Sequence, residues 1–430
     1  TVIGVHLMVA SVSMSWIVGN LLAYMNSFFR FQCSPYCFDG DPQWIVNLYN
    51  ALFGVGLFVF EYIRNTVGLW WTTLLAILVH TSSFFLCVWA VQVSVVAVCV
   101  LMGVFMAAAA GVIMNAGFAY IHIRAPQNAE VYMITVIASG PLLNVVQNQI
   151  ITSFVNPLNL KPDVYQSPWA SFSQSEILQR VPTVIAIVAS IDLGFQLIGF
   201  LLDHATTKPE DGSLQTTASK DVYLEVSNQG RTNQRDCETE QIQFTLQEAT
   251  RTAKFWSLWL YGASTGLCTV LLTSYYKQFG LVYIDNDRHL TLLGSAMPLL
   301  VGLSGMLLGA LKKKDLVNIH DSLVLSLSLN SLTSAFWFFA AMLGEAVYMV
   351  LILLMTFSHS FIFFVMANGT MQEFGNAHFA TIYSVAFSGR PIVSLFSAAY
   401  LTPLLDAVGW FWVFMSSSVL SSVALVFTVL

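Results

Sequence analysis

Apolar and polar positions fall along this chain in long blocks, not in short helix or strand periods. Runs of about twenty apolar residues cross roughly 30 Å of hydrocarbon as an α-helix. Such runs recur at 3–29, 43–63, 69–91, 93–121, 129–153 and 182–203. A polar stretch from His204 to about Lys254 follows, and six more runs come after it, at 255–278, 290–311, 318–341, 345–368, 379–402 and 409–430. The pattern predicts an all-α polytopic membrane protein of twelve transmembrane helices in two six-helix bundles, 1–203 and 255–430, joined by a linker at 204–254. Within that linker, 206–240 is rich in Thr, Gln, Asn, Asp and Glu and reads as disordered, since it has too little apolar surface to fold. From Gln241 it turns amphipathic and leads into the seventh run.

Composition agrees: 56% of residues are hydrophobic and 9% charged, against about a quarter charged in a soluble domain. The formal net charge of −6 adds little, because placement matters more than the sum. The chain begins at Thr1 and ends at Leu430, each inside an apolar segment, so tails beyond both ends are expected. The six cysteines, at 33, 37, 87, 99, 237 and 268, show no metal-ligand spacing. Cys33 and Cys37 share one short loop and could pair or stay free. No metal, cofactor or nucleic-acid site is expected.

Two apolar runs are interrupted. Gly389-Arg390-Pro391 lies near the middle of Phe379–Thr402, and Gly140-Pro141 lies inside Ala129–Phe154. The two prolines are 250 positions apart. At the same shift Leu21-Leu22 meets Leu271-Leu272 and Phe29 meets Phe279, so the halves read as pseudo-symmetric. Each proline is expected to break its helix, and Pro391 to push Arg390 out of helical geometry. Paired Gly/Pro interruptions in matching halves point to a transporter's binding site. Arg390 is about 16 Å from either end of its run, too far to snorkel, so its charge must face protein or water.

Lysines and arginines set the orientation. With the first helix starting in the cytosol, that side holds Arg64, Arg124, Lys208, Lys220, Arg231, Arg235, Arg251, Lys254 and Lys312–Lys314, against Arg30, Lys161, Arg180, Lys277 and Arg288 outside. Without the long linker the balance is even, and the cluster Lys312–Lys314 in its short loop decides. Both termini are then cytosolic, in the plasma membrane or an organelle membrane.

Candidate site residues carry competing readings. Arg390 is a substrate-binding cation, a structural partner of Asp192 or a helix-packing residue, and a guanidinium suits a carboxylate because it binds it bidentately. Asp192, in the middle of the sixth run, is a proton-coupling acid or a neutral hydrogen-bonded one. His359, between Ser358 and Ser360, is a proton shuttle or a packing residue, and His80 is a packing residue. Asn20, Tyr24 and Ser27 share one helical face. With Asn26, and with Tyr275, Tyr276 and Lys277 on the seventh run, they line an aqueous path or bond helix to helix. Asn144, Gln147 and Asn148 form a second polar face on the fifth run, and Ala107–Gly111 reads as close helix packing.

The run Gly19-Asn20-Leu21-Leu22-Ala23-Tyr24-Met25-Asn26-Ser27-Phe28-Phe29-Arg30 resembles the first-helix signature of the oxalate/formate antiporter-like group of the major facilitator superfamily, relatives of the monocarboxylate transporters. Asn156-Pro157-Leu158-Asn159 with Gln174–Pro182 is similar to that group's outer loop. Lys254–Leu260 and Tyr276–Gly280 are similar to its seventh helix. Three departures stand out. Only Gly56, Glu61 and Arg64 match the usual charged loop between helices two and three, and Gln127-Asn128 replaces basic residues after Pro126. The resemblance implies one cation on helix eleven, which falls on Arg390, and another on helix eight, where Met306 stands.

Together the resemblance and the residues imply a secondary active transporter working as a functional monomer in the lipid bilayer. It would move a small organic anion, most simply a monocarboxylate, by alternating access. No phosphate-binding Gly-rich Lys-Ser/Thr loop is present, so coupling to a proton or to exchange is expected. No nucleophile–base or metal constellation suggests an enzyme. The alternatives are an amino-acid or other metabolite carrier of the same fold, or a transporter-like receptor.

Overall fold

The computed structural model describes residues 2–12, 14–33, 37, 39–125, 129–166, 168–205, 244–314, 316–375 and 378–430. The linker reading at 206–240 and the departure at Gln127-Asn128 lie outside them. Among the described residues ten helical segments are long and apolar enough to cross a membrane. They are helix 2 (Trp44–Val67), helix 3 (Leu69–Ala90), helix 4 (Val95–Arg124), helix 6 (Ser175–Asp203), helix 7 (Ala253–Tyr283), helix 8 (Asp287–Lys312), helix 9 (Ile319–Leu343), helix 10 (Glu345–Phe374), helix 11 (Thr381–Val408) and helix 12 (Trp410–Val429). Two more take the first and fifth places. Helix 1 comprises Val2–Ala10, Ser15–Phe28 and a π-helical turn Phe29–Cys33, and helix 5 runs from Ala129 to Val155.

Packing repeats between the halves. Helix 2 lies on 4, 3 on 6 and 1 on 5; in the same order 8 lies on 10, 9 on 12 and 7 on 11. The halves meet through helix 5 against helix 8 and helix 2 against helix 11, which exchange under the same pseudo-twofold. The small residues of helix 4 allow close approach. A Cβ on Gly111 would fall 2.2 Å from the Phe53 carbonyl, and one on Gly56 would fall 2.0 Å from that of Ala108.

The two prolines behave differently. Helix 11 is interrupted at one residue, Ser388, between Phe379–Phe387 and Gly389–Val408, and Ser388 itself keeps helical dihedrals, φ −60° and ψ −20°. Arg390 itself is helical, a correction to the expectation that Pro391 would expel it: the disturbance appears at the turn preceding the ring. Helix 5 runs through Gly140-Pro141 unbroken, so the second expected break is absent. A proline removes only its own N–H bond, and membrane helices tolerate that loss.

The loop between helices 5 and 6 holds an antiparallel hairpin, Val164–Gln166 with Trp169–Ser171, which apolar block length could not reveal. It defines the hairpin end of the bundle, and the chain between helices 6 and 7 defines the linker end. Cys33 and Cys37 are bridged near the hairpin end, their Cα atoms 5.6 Å apart. Near the linker end Thr245 and Glu248 form a capping box on the turn Leu246–Ala249. The Thr245 amide and hydroxyl, both donating to Glu248, hold its carboxyl below the usual range.

Candidate functional site

Helix 7 organises the interior. A π-helical turn, Leu271–Tyr275, inserts extra residues into its register just before Tyr276-Lys277, and such turns are frequent at functional sites. Beyond it Lys277 is fully buried and faces Asp287, the first residue of helix 8, with Nζ 2.5 Å from Oδ1. Both residues belong to the C-terminal half, and the N-terminal half closes over them. Lys277 donates to Asn20 Oδ1 at 2.5 Å and Tyr24 Oη at 3.1 Å. The Tyr24 hydroxyl and Asn156 Nδ2 both donate to Asp287 Oδ2, the latter at 2.8 Å. Thr152 joins Thr291 across the same interface at 2.6 Å. Asp287 Oδ1 meets the ammonium and no other donor among the described residues.

This gathers Asn20, Tyr24 and Lys277 in one fully buried cluster and corrects one assumption. Lys277 is no outer-loop charge that could orient the chain, because it is sealed in an ion pair. Asp287, Thr152, Asn156 and Thr291 were missed. The only sequence signal was an acid ten positions after a lysine, across a break between two apolar runs.

The hairpin roofs the cluster. Phe172 is buried against Tyr24 with centroids 5.6 Å apart, and its amide donates to Ser27 Oγ at 3.1 Å. Trp169 packs on Trp410, whose Nε1 donates to the Pro168 carbonyl at 2.7 Å. Arg30 lies over the Trp169 ring beside a recess lined by Asp41, Gln43, Thr402 and Asp406. Burial pushes the Asp41 carboxyl up. Tyr275 packs edge-on against Trp410. Tyr276 has its hydroxyl against Gly294, and its carbonyl accepts from the Tyr348 hydroxyl. Both tyrosines are packed, not open to a path.

Further bonds tie the halves at this end: Gln43 to Gln278 at 2.9 Å, Asn47 to Ser397 at 2.7 Å, Asn159 to Asn286 at 3.1 Å and Gln149 to Ser295 at 3.0 Å. About three turns beyond Ser295, on the same face of helix 8, Met306 is 37% exposed. That face passes from contact to exposure toward the linker end, so the halves are clasped at the hairpin end.

Arg390 lies deeper. It sits two residues past the interruption at Ser388, and a Cβ on Gly266 of helix 7 would fall 2.9 Å from its Cα. Its guanidinium carbon is 5.8 Å from the Phe387 centroid, and Cys268, His359 and Tyr383 are within its electrostatic reach. His359 is buried with its ring 6.1 Å from Trp16 and near the Thr269 hydroxyl. Asp192 is elsewhere: Oδ1 accepts from Gln147 Nε2 at 2.6 Å, inside the N-terminal half. Arg390 and Asp192 are not brought together as a pair. His80 bonds Gln196 at 2.9 Å, a packing role.

Solved structures share this architecture. A POT family transporter crystallised with 5-aminolevulinic acid matches over 99% of this chain and 94% of its own, at 13% identity and a TM-score of 0.68. The xylose transporter XylE from E. coli, in a partially occluded inward-open conformation, matches over 99% and 97% at 11% identity and 0.64. A D-xylose-proton symporter matches over 99% and 95% at 13% and 0.62. Neither a protein-family model nor a curated protein matches the sequence. The fold is therefore the major facilitator fold of polytopic membrane transporters.

Proposed function

We propose that this protein is a secondary active transporter that moves small organic anions, monocarboxylates first, by alternating access between its halves. The observation that carries the anion is Arg390, a cation at mid-membrane depth beside a helix interruption and tight against Gly266. A charge there costs at least about 2.5–3.5 kcal/mol to insert, and carboxylate recognition gives it a use. The clasped hairpin end and the parting face of helix 8 support a cycle in which the ends open in turn. The solved neighbours, two of them a POT family transporter and a D-xylose-proton symporter, support proton coupling as the simplest drive, with His359 and Asp192 as the titratable groups to test.

One guanidinium neutralises one carboxylate, and Met306 supplies no second cation on helix 8. A second carboxylate would enter low dielectric unpaired, at several kcal/mol. In proteoliposomes, labelled lactate and formate should therefore be taken up at least about tenfold better than oxalate, or about 1.4 kcal/mol. Oxalate as the best substrate would refute the one-cation reading. In this reading both termini and the linker face the cytosol, anchored by Lys312–Lys314. A tag inserted within 206–240 that reacts only from outside would reverse that orientation.

A further inference from the structure

The buried pair Lys277–Asp287 is more than a clasp, because of what each group would lack once the halves part. Both charges stay on the C-terminal half, together with Thr291, which accepts from Lys277 at 3.3 Å. Everything else that satisfies them comes from the N-terminal half. Opening the hairpin end takes Asn20 Oδ1 and Tyr24 Oη from the ammonium, and the Tyr24 hydroxyl and Asn156 amide from Asp287 Oδ2. With Asp287 Oδ1 and Thr291 keeping two of its three N–H groups, Lys277 is left with one vacant donor, beside two vacant acceptor positions on Asp287 Oδ2 and facing the path between the halves. A vacant donor beside vacant acceptors fits a ligand that carries an acceptor and a donor on adjacent atoms.

We propose that Lys277 and Asp287 form a docking site, exposed when the hairpin end opens, for a small carboxylate bearing a neighbouring hydroxyl or ammonium group. The ligand carboxylate takes the place of Asn20 Oδ1 on Lys277, and its hydroxyl replaces one of the two donors, Tyr24 or Asn156, on Asp287, where an ammonium replaces both. On closure those three residues substitute for the departed ligand, so neither charge is left bare in either state. A bare carboxylate fills only half of the site. Gly266, which touches Arg390, and Lys277 are eleven residues apart on helix 7, about 16 Å along its axis. One small anion therefore meets the two cations in succession and not together.

This inference rests on the organic-anion reading above. L-Lactate, L-alanine and propionate share three carbons and a carboxylate and differ in carrying a hydroxyl, an ammonium or neither. The readout is ligand-induced thermal stabilisation of the purified full chain in detergent, which requires no transport. It is run on the wild type and on Arg390→Gln, where the mid-membrane cation no longer contributes. In both, lactate or alanine should act at a concentration at least about tenfold below that of propionate, and which of the two does so identifies the donor. Asp287→Asn alone strands a buried ammonium, so the decisive variant is the neutral double, Lys277→Gln with Asp287→Asn. It should bring the three ligands within about twofold of one another. Equal action of all three on the wild type, including none at all, would overturn the proposal, as would undiminished discrimination by the neutral double variant. Transport surviving in Arg390→Gln would refute the mid-membrane site and leave this one standing.

Discussion

Two cations meet helix 7, Arg390 of helix 11 against Gly266 and Lys277 of helix 7 itself about 16 Å further along the axis, and their surroundings differ. Lys277 is sealed with a carboxylate at 2.5 Å and donors and acceptors from both halves. Arg390 is only partly buried, packed by Phe387 and the backbone of helix 7, with His359 and Cys268 nearby. The first arrangement resembles a completed binding site whose ligands are protein. The second sets its cation against a turn of helix 7 and the Phe387 ring. A clasp must be satisfied when closed, whereas a transport site must be ready for something that comes and goes.

The largest effect that would sharpen this contrast is on stability. Asp287→Asn leaves Lys277 buried without its counter-ion and should destabilise the protein by about 3–5 kcal/mol, whereas neutralising both partners should cost far less. Thermal denaturation in detergent would read the difference. Equal losses in the single and double variants would mean that the pair is not the ionic centre of the clasp.

A smaller effect is expected where the helices touch. A Cβ on Gly19 would fall 1.9 Å from the Thr273 carbonyl, across the halves. Gly19→Ala should strain the clasped state by about 1–3 kcal/mol and favour the hairpin-open state. A cysteine placed at Asn159 should then be alkylated faster from that side. An unchanged rate would show that helices 1 and 7 do not need this approach to close.

The prolines give the smallest effects and the most direct comparison between the halves. Pro391→Ala, beside the interruption at Ser388 in helix 11, should lower uptake by about fivefold to tenfold, or about 1–1.4 kcal/mol in the transport step. Pro141→Ala, in a helix that is already continuous, should change uptake by less than about twofold. Equal effects would restore the symmetry that the sequence suggests and the structure lacks.

These contrasts also mark what was readable beforehand. Helix number and placement followed from block length, because a bilayer imposes one length on every span. Arg390 was conspicuous because a charge deep inside a long apolar run must face protein or water. Asp287 was not, because an acid beside Asn286 and Arg288 at a helix start looks like an ordinary solvated turn. Its burial depends on Tyr24, Asn156 and the roof at Phe172, brought in from distant parts of the chain. The hairpin escaped for a related reason: its strands are three residues each and carry no length signal. The Gly140-Pro141 dipeptide misled because a proline reports a missing hydrogen bond, and only the neighbouring helices decide whether the backbone bends.

The central claim, that Arg390 holds the carboxylate of a transported anion, is tested most directly by uptake of labelled lactate into proteoliposomes carrying the wild type, Arg390→Lys or Arg390→Gln. Arg390→Gln removes a charge from the membrane interior and should insert and fold normally while losing at least about a hundredfold in uptake, or about 2.7 kcal/mol. Arg390→Lys should keep weak activity, because a point charge replaces a bidentate fork. Robust uptake by Arg390→Gln would contradict the claim.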